Sequence, residues 1–180
     1  MASFLIAHDL GTSGDKATLF SAEGTLLRSV TVSYDTHFFN STWAEQEPED
    51  WWMAVCSGTQ ALLAGMDKKE VAGMAFSGQM MGCVPVDREG RALRPAIIWA
   101  DQRSQLQEKI MRSRIDENIF YHITGHRISA SYSIEKLMWI RDNEPEIFRK
   151  IYKMLQPKDY VIYRLTGQFV TDYTDASGTN

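Results

Sequence analysis

The sequence predicts an α/β fold, and three features predict it. Residues 3–34 hold three short apolar runs separated by glycine-bearing turns. From Pro48 onward, amphipathic segments of helical length alternate with further short apolar runs. With 44% hydrophobic and 23% charged residues in 180, the composition is that of an ordinary globular chain. A chain of this size buries roughly 70% of its unfolded surface, enough for a core.

Taken in order, Ser3-Phe-Leu-Ile-Ala-His-Asp9 reads as a buried strand ending in an acid. Leu10 to Gly14 is a turn by composition, and Lys16 to Phe20 a second strand. After the Ala22-Glu-Gly24 turn, Leu26 to Tyr34 is a third strand, rich in Val and Thr. Short turns between the three make an antiparallel meander. A helix from Pro48 to about Met66 follows, with Pro and two acids in its first turn, where the helix dipole favours them. Val71–Phe76, Cys83–Asp87 and Pro95–Trp99 read as strands. Helices are expected over Gln102–Arg114, Ile134–Asp142 and Pro145–Lys150, then a strand over Lys153–Gln156. A last helix runs from Pro157 to Leu165 and stops at Gly167. Thr171 to Asn180 is small and polar, reads as no capped helix, and looks like a chain stopped in mid-fold. No linker-like stretch or internal repeat suggests a domain boundary.

Composition excludes several functions. Nineteen basic against twenty-three acidic residues give a net charge of -4, which disfavours a broad nucleic-acid surface. Two cysteines, Cys56 and Cys83, cannot form a disulfide framework or a four-thiolate metal site. The first residues lack a basic leader, and no run approaches the roughly 18 apolar residues of a membrane helix. The expectation is a cytoplasmic protein with no membrane or nucleic-acid partner.

The strongest chemical signal is Asp9-Leu-Gly-Thr-Ser-Gly-Asp-Lys16. It lies between two strands, which excludes a Walker loop. A tight hairpin turn can still present successive backbone N–H groups to an anion. Gly11 and Gly14 allow close approach, Thr12 and Ser13 add hydroxyl donors, and Lys16 adds positive charge. Asp9 beside a phosphate implies Mg²⁺ or its waters in between. A plain hairpin with a polar turn is the other reading. A second candidate combines Ser77-Gly-Gln-Met-Met-Gly82 with Trp99-Ala-Asp101, at the ends of predicted strands. Gln79 and Asp101 can bond sugar hydroxyls, and Trp99 can cover an apolar C–H face. Met80, Met81 and Trp99 as core residues are the alternative. His122 and His126 have the spacing of a zinc pair but no third ligand, and Gly125 weakens the helix between them. Trp43, Trp51 and Trp52 read as the packing face of a helix, and Lys68-Lys69 and Arg112–Arg114 as solvated charge.

Together these pieces resemble the FGGY family of carbohydrate kinases. Asp9-Leu-Gly-Thr-Ser13 is similar to the family's first phosphate motif. Ser131-Tyr-Ser-Ile-Glu-Lys-Leu-Met-Trp-Ile-Arg-Asp-Asn143 is similar to its first signature, including Lys136 and Trp139. Ser77-Gly-Gln-Met80, Arg94-Pro-Ala-Ile-Ile-Trp99, Asp101 and Arg103 resemble the xylulokinase branch most, and Thr174 to Thr179 is also family-like. The resemblance implies a ribonuclease H-like, actin-type ATPase domain with a mixed sheet flanked by helices. It implies ATP and Mg²⁺ as cofactors, a small sugar as substrate, and a possible homodimer. Family members have two such domains and are much longer, so 1–180 corresponds to most of the first, without the ATP-binding second.

By the same resemblance Asp9, Gly11, Thr12, Ser13 and Lys16 handle phosphate and Mg²⁺. Gln79, Met80, Met81, Trp99 and Asp101 line the sugar pocket, with Ser131 at its border. The family's catalytic Asp has no counterpart here and is expected downstream of Asn180, so this stretch alone is expected to be inactive. The xylulokinase branch usually has His where this chain has Met81, which cannot donate the same hydrogen bond. D-xylulose is the first expectation; another ketose, a polyol or gluconate stays open. So does a non-catalytic sugar-binding module if the native chain ends at Asn180. An actin-like ATPase of the chaperone or filament type is the poorer reading.

Overall fold

The computed structural model describes residues 4–180; Ser3, read as the start of the first strand, lies outside them. Nine strands and seven helices follow in the order β1 (Phe4–Leu10), β2 (Gly14–Ser21), β3 (Leu26–Ser33), β4 (His37–Phe39), β5 (Trp43–Gln46), α1 (Pro48–Leu62), β6 (Val71–Gly78), β7 (Val84–Val86), β8 (Ala96–Ile97), α2 (Gln105–Arg114), α3 (Glu117–Thr124), α4 (Ser133–Asn143), α5 (Pro145–Phe148), β9 (Lys153–Leu155), α6 (Pro157–Thr166) and α7 (Tyr173–Ser177). The sequence shows no linker, yet the chain forms two compact units. The first comprises 1–36 with 49–79, and the second 37–48 with 80–180. Because the chain passes between them three times, the boundary leaves no compositional trace.

The first unit is a mixed sheet in the order β3-β2-β1-β6. The meander is antiparallel as expected, and β6 joins it parallel to β1. Alternation sorts the side chains. Ile6, His8 and Leu10 of β1, and Asp15, Ala17 and Leu19 of β2, are buried on one face. There Ile6, Ala17 and Leu19 pack with Leu62 of α1. Asp9 and Lys16 are directly paired across the strands and are both exposed. Two polar groups on the buried face satisfy each other: His8 Nδ1 lies 2.7 Å from Asp15 Oδ2, and His8 Nε2 lies 3.1 Å from Thr59 Oγ1 of α1. A Cβ on the neighbouring Gly58 would lie 3.0 Å from Ala17 Cβ and 3.4 Å from the Asp15 carboxylate. The glycine thus lets the helix sit close over this pair.

The second unit holds two small sheets, β4-β5-β8 and β7-β9, both antiparallel, and helices α2 to α7. Cys83, Ile97 and Ile140 form a core joined by Leu137, Trp139 and Phe148. Trp51 of α1 is fully buried in the first unit, as a packing tryptophan should be. Trp43 corrects the expectation of a single helical aromatic face. It stands on β5 and meets Phe39 and Trp139 edge-on, with ring centroids 5.5 and 5.2 Å away. Two further elements differ from expectation. Helix α3 was not foreseen; it ends at Gly125, whose φ of 75° is left-handed, so His126 falls beyond the helix and its ring bonds Tyr132 and Ser177. The terminal polar stretch contains a capped helix after all: Asp172 accepts from the N–H groups of Thr174 and Asp175. Arg112, read as solvated, pairs with Glu108 and Glu117.

Lys158 Nζ donates to Asp172 at 2.6 Å and, with the Thr174 hydroxyl and the Asp175 amide, holds that carboxyl well below the usual carboxylate range. A depressed carboxylate stabilises the fold above its unfolded value of 3.8 and loses that contribution as pH falls through the folded value. The Asp172 side chain is 49% exposed, so screening limits the pair itself to a few tenths of a kcal/mol, roughly. Asp172→Asn should lower the urea midpoint at neutral pH. The difference from wild type should shrink on acidification below 3.8, as followed by circular dichroism.

Candidate functional site

The β1–β2 hairpin is anchored by its carbonyls. Leu10 O accepts from Gln79 N at 2.8 Å, Gly11 O from the Tyr34 hydroxyl at 2.6 Å, Thr12 O from Thr36 Oγ1 at 3.1 Å, and Ser13 O from Tyr34 N at 3.3 Å. In a trans peptide the N–H points opposite to the carbonyl. Drawing Gly11 O and Thr12 O inward therefore turns the amides of Thr12 and Ser13 outward, as an anion loop requires. Gly11 itself is committed: its N–H bonds Asp9 O and Gly14 O, each at 3.0 Å. Gly14 has a structural reason. A Cβ there would lie 2.8 Å from Val32 O, so the close approach of β3 demands glycine.

Gln79, expected with the sugar residues, follows β6 and is bonded to this hairpin, its side-chain amide also reaching Gly11 O at 3.4 Å. Tyr34 and Thr36 escaped the sequence reading. Burial, then the charges of Asp15 and Asp9, raises the Tyr34 hydroxyl above its ordinary range, so it remains a donor. Beside the hairpin, the exposed sheet face forms a depression of about 390 Å³ lined by Asp9, Lys16, Thr18, Phe76 and Ser77 among others. Among the described residues no group of three His, Cys, Asp or Glu side chains could hold a metal. One exposed carboxylate with neighbouring hydroxyls suits Mg²⁺ arriving with a phosphate ligand and keeping most of its waters.

The remaining candidates lie in the second unit. Asp101 is fully buried. Its Oδ2 accepts from Ala44 N at 2.6 Å and from Arg103 at 2.7 Å, and its Oδ1 from Arg103 N at 2.8 Å. It closes the turn that carries Trp99, which is 42% exposed. Arg103 is equally buried, pairs with Glu45 at 2.7 Å, and lies 4.0 Å from the Trp43 ring centre and 5.0 Å from that of Trp139. Ser131 Oγ accepts from Gln102 at 2.8 Å, next to the Asp101 turn. Met80 packs against Gly178, where a Cβ would lie 3.3 Å from its Cε.

Met81 has a φ of 60°, uncommon without glycine. Its carbonyl accepts from Lys136 at 2.8 Å, and the same ammonium donates to Ser131 O. Gly82 is held by Ser133 Oγ at 2.7 Å through its carbonyl and by Gln156 at 2.9 Å through its N–H. Burial pushes Lys136 down to about 8 and the Cys83 thiol up to about 12. The structure thus brings Met81 and Ser131 onto one lysine, and groups Asp9, Gly11, Thr12, Ser13 and Lys16 on one hairpin, with Gln79 bonded to it from the end of β6.

An antiparallel meander joined by a parallel fourth strand is the opening sheet of a ribonuclease H-like fold. The mixed sheet flanked by helices matches what the sequence resemblance implied. Residues 4–180 match the N-terminal domain of the FGGY family of carbohydrate kinases, and the chain belongs to that family. It is 37% identical to the xylulose kinase of Escherichia coli K12 over 174 residues, covering 97% of this chain and 36% of that one. The crystal structure of a xyloylose kinase from Brucella ovis superposes with a TM-score of 0.91 at 35% identity, covering 98% of this chain and 37% of that one. A gluconate kinase from Lactobacillus acidophilus does so with a TM-score of 0.91 at 30% identity, covering 98% and 36%. The chain therefore spans little more than a third of the relatives it matches.

Asp101→Asn should leave the Arg103 guanidinium short of charge in a buried setting. The expected loss is about 3 kcal/mol, read as a lower urea midpoint; an unchanged midpoint would remove Asp101 from the turn's support.

Proposed function

We propose that the native-length protein transfers the γ-phosphoryl group of ATP to a small sugar, with D-xylulose the first candidate. The observation that supports this most is the hairpin pulled inward by four carbonyls. It suits an anion better than a plain turn would, because the backbone of the turn is fixed in advance and needs little reorganisation. Lys16 adds positive charge beside it. Asp9 would hold Mg²⁺ through water, and the ion, when bound, supplies charge neutralisation to the nucleotide phosphates. In this reading Trp99 covers an apolar sugar face, with Met80, Met81 and Ser131 around it. Asp101, its oxygens already occupied, contributes by fixing the Trp99 turn. The general base for the sugar hydroxyl is not assigned to any residue of 1–180.

Met81 favours a second reading. A thioether offers no hydrogen-bond donor, and the similarity to a gluconate kinase at 30% identity keeps a sugar acid in view.

The deciding experiment is ADP release by the native-length gene product with Mg·ATP across D-xylulose, other ketoses, polyols and gluconate. Turnover with one of these names the substrate; ADP release indifferent to sugar in a folded protein would overturn the kinase reading. Asp9→Ala should lower kcat by more than about a hundredfold while sugar binding, measured by calorimetry, stays within about twofold of wild type.

A further inference from the structure

Lys136 is an unusual use of charge. It is fully buried, and its hydrogen bonds go to backbone carbonyls rather than to a carboxylate. Removing an ammonium from water is costly unless it gains strong partners. The two acceptors are specific: the carbonyls of Met81 and Ser131, from loops 50 positions apart in sequence. Met81 occupies the left-handed backbone region, which a side chain adopts only when its surroundings over-determine it. The next residue is fixed on both sides, by Ser133 and by Gln156. A Cβ on Gly82 would fall 2.9 Å from the Pro157 ring, so the turn cannot relax by moving toward α6. Lys136 is the remaining restraint on the Met81 peptide itself. A lysine suits the task because its ammonium is a compact charge with three donors that can diverge to separate carbonyls.

We propose that Lys136 is a positioning residue for the sugar, clamping the Met81 turn to the Ser131 loop so that both side chains keep one mutual orientation. This rests on the reading above that Met81 and Ser131 face the sugar. The ammonium touches only carbonyls and acts through them.

Lys136→Met keeps the length and apolar stem but removes the donors. In the native-length protein it should raise KM for the sugar about tenfold, the scale of losing hydrogen bonds to a charged group. KM for ATP and kcat should stay within about twofold. A parallel fall in kcat with both KM values, or an unchanged sugar KM, would overturn the proposal. Hydrogen exchange over residues 79–84, followed by mass spectrometry, reads the clamp without any turnover. It should speed up about tenfold in the variant while β1 and β2 keep their protection; unchanged exchange there would sink the clamp whatever the substrate. A wild type that lacks sugar-dependent turnover but shows the faster exchange in the variant would refute the kinase reading and retain the clamp. If Lys136→Met does not fold, Lys136→Gln, still able to donate to one carbonyl, should give an intermediate exchange rate, and wild-type exchange in it would equally refute the clamp.

Discussion

The second unit is organised around one buried guanidinium. Arg103 has no solvent-exposed side-chain surface, and it meets Asp101 and Glu45 at 2.7 Å each. Desolvating that charge costs several kcal/mol, roughly, and two carboxylates plus stacked indoles offset it. Everything the arginine touches is thereby located: β5 through Trp43 and Glu45, the Trp99 turn through Asp101, and α4 through Trp139. Arg94 reinforces the arrangement by pairing with the same Glu45 and, at 2.6 Å, with Glu144 at the end of α4. Two cations and three carboxylates interlock through Glu45, so removing either cation would leave buried negative charge uncompensated. The side chains that could meet a sugar stand on the periphery of this cluster and are more exposed than it is.

The first unit reaches the same end with backbone groups. Its hairpin is positioned by hydrogen bonds to carbonyls, and the donors include Tyr34 and Thr36, which follow the third strand. The hairpin is thus held through backbone acceptors, which substitution leaves unchanged, and side-chain donors, which it does not. That arrangement tolerates substitution of the presented side chains better than substitution of their supports.

This explains what the sequence made legible. The meander was readable because glycines bound each strand and buried and exposed residues alternate through β1 and β2. Strands β4 and β5 were not, because three or four residues carry no periodicity and their turn relies on Asn40 and Ser41 in the left-handed region. Helix α3 was faint because none of its residues is buried, and Ile119 and Ile123 stay 59% and 78% exposed. Asp101 looked like a ligand because an acid at a strand end often is one; only the fold brings Ala44 N against it. Lys136 is visible as part of a signature, but its partners are not, since a carbonyl acceptor leaves no mark in sequence.

The register of β1 and β2 carries one more consequence. Successive pairs alternate faces, with His8 opposite Ala17 and Asp9 opposite Lys16. An insertion or deletion of one residue at positions 11–13 would exchange the faces of β2 relative to β1. Lys16 would then turn into the apolar layer under α1, and Asp15 would leave His8 for solvent. The length of this hairpin is thus more tightly constrained by packing than the identity of residues 12 and 13. Exchange between small hydroxyl residues at positions 12 and 13 can be absorbed there, whereas a one-residue insertion or deletion strikes the core and the loop together.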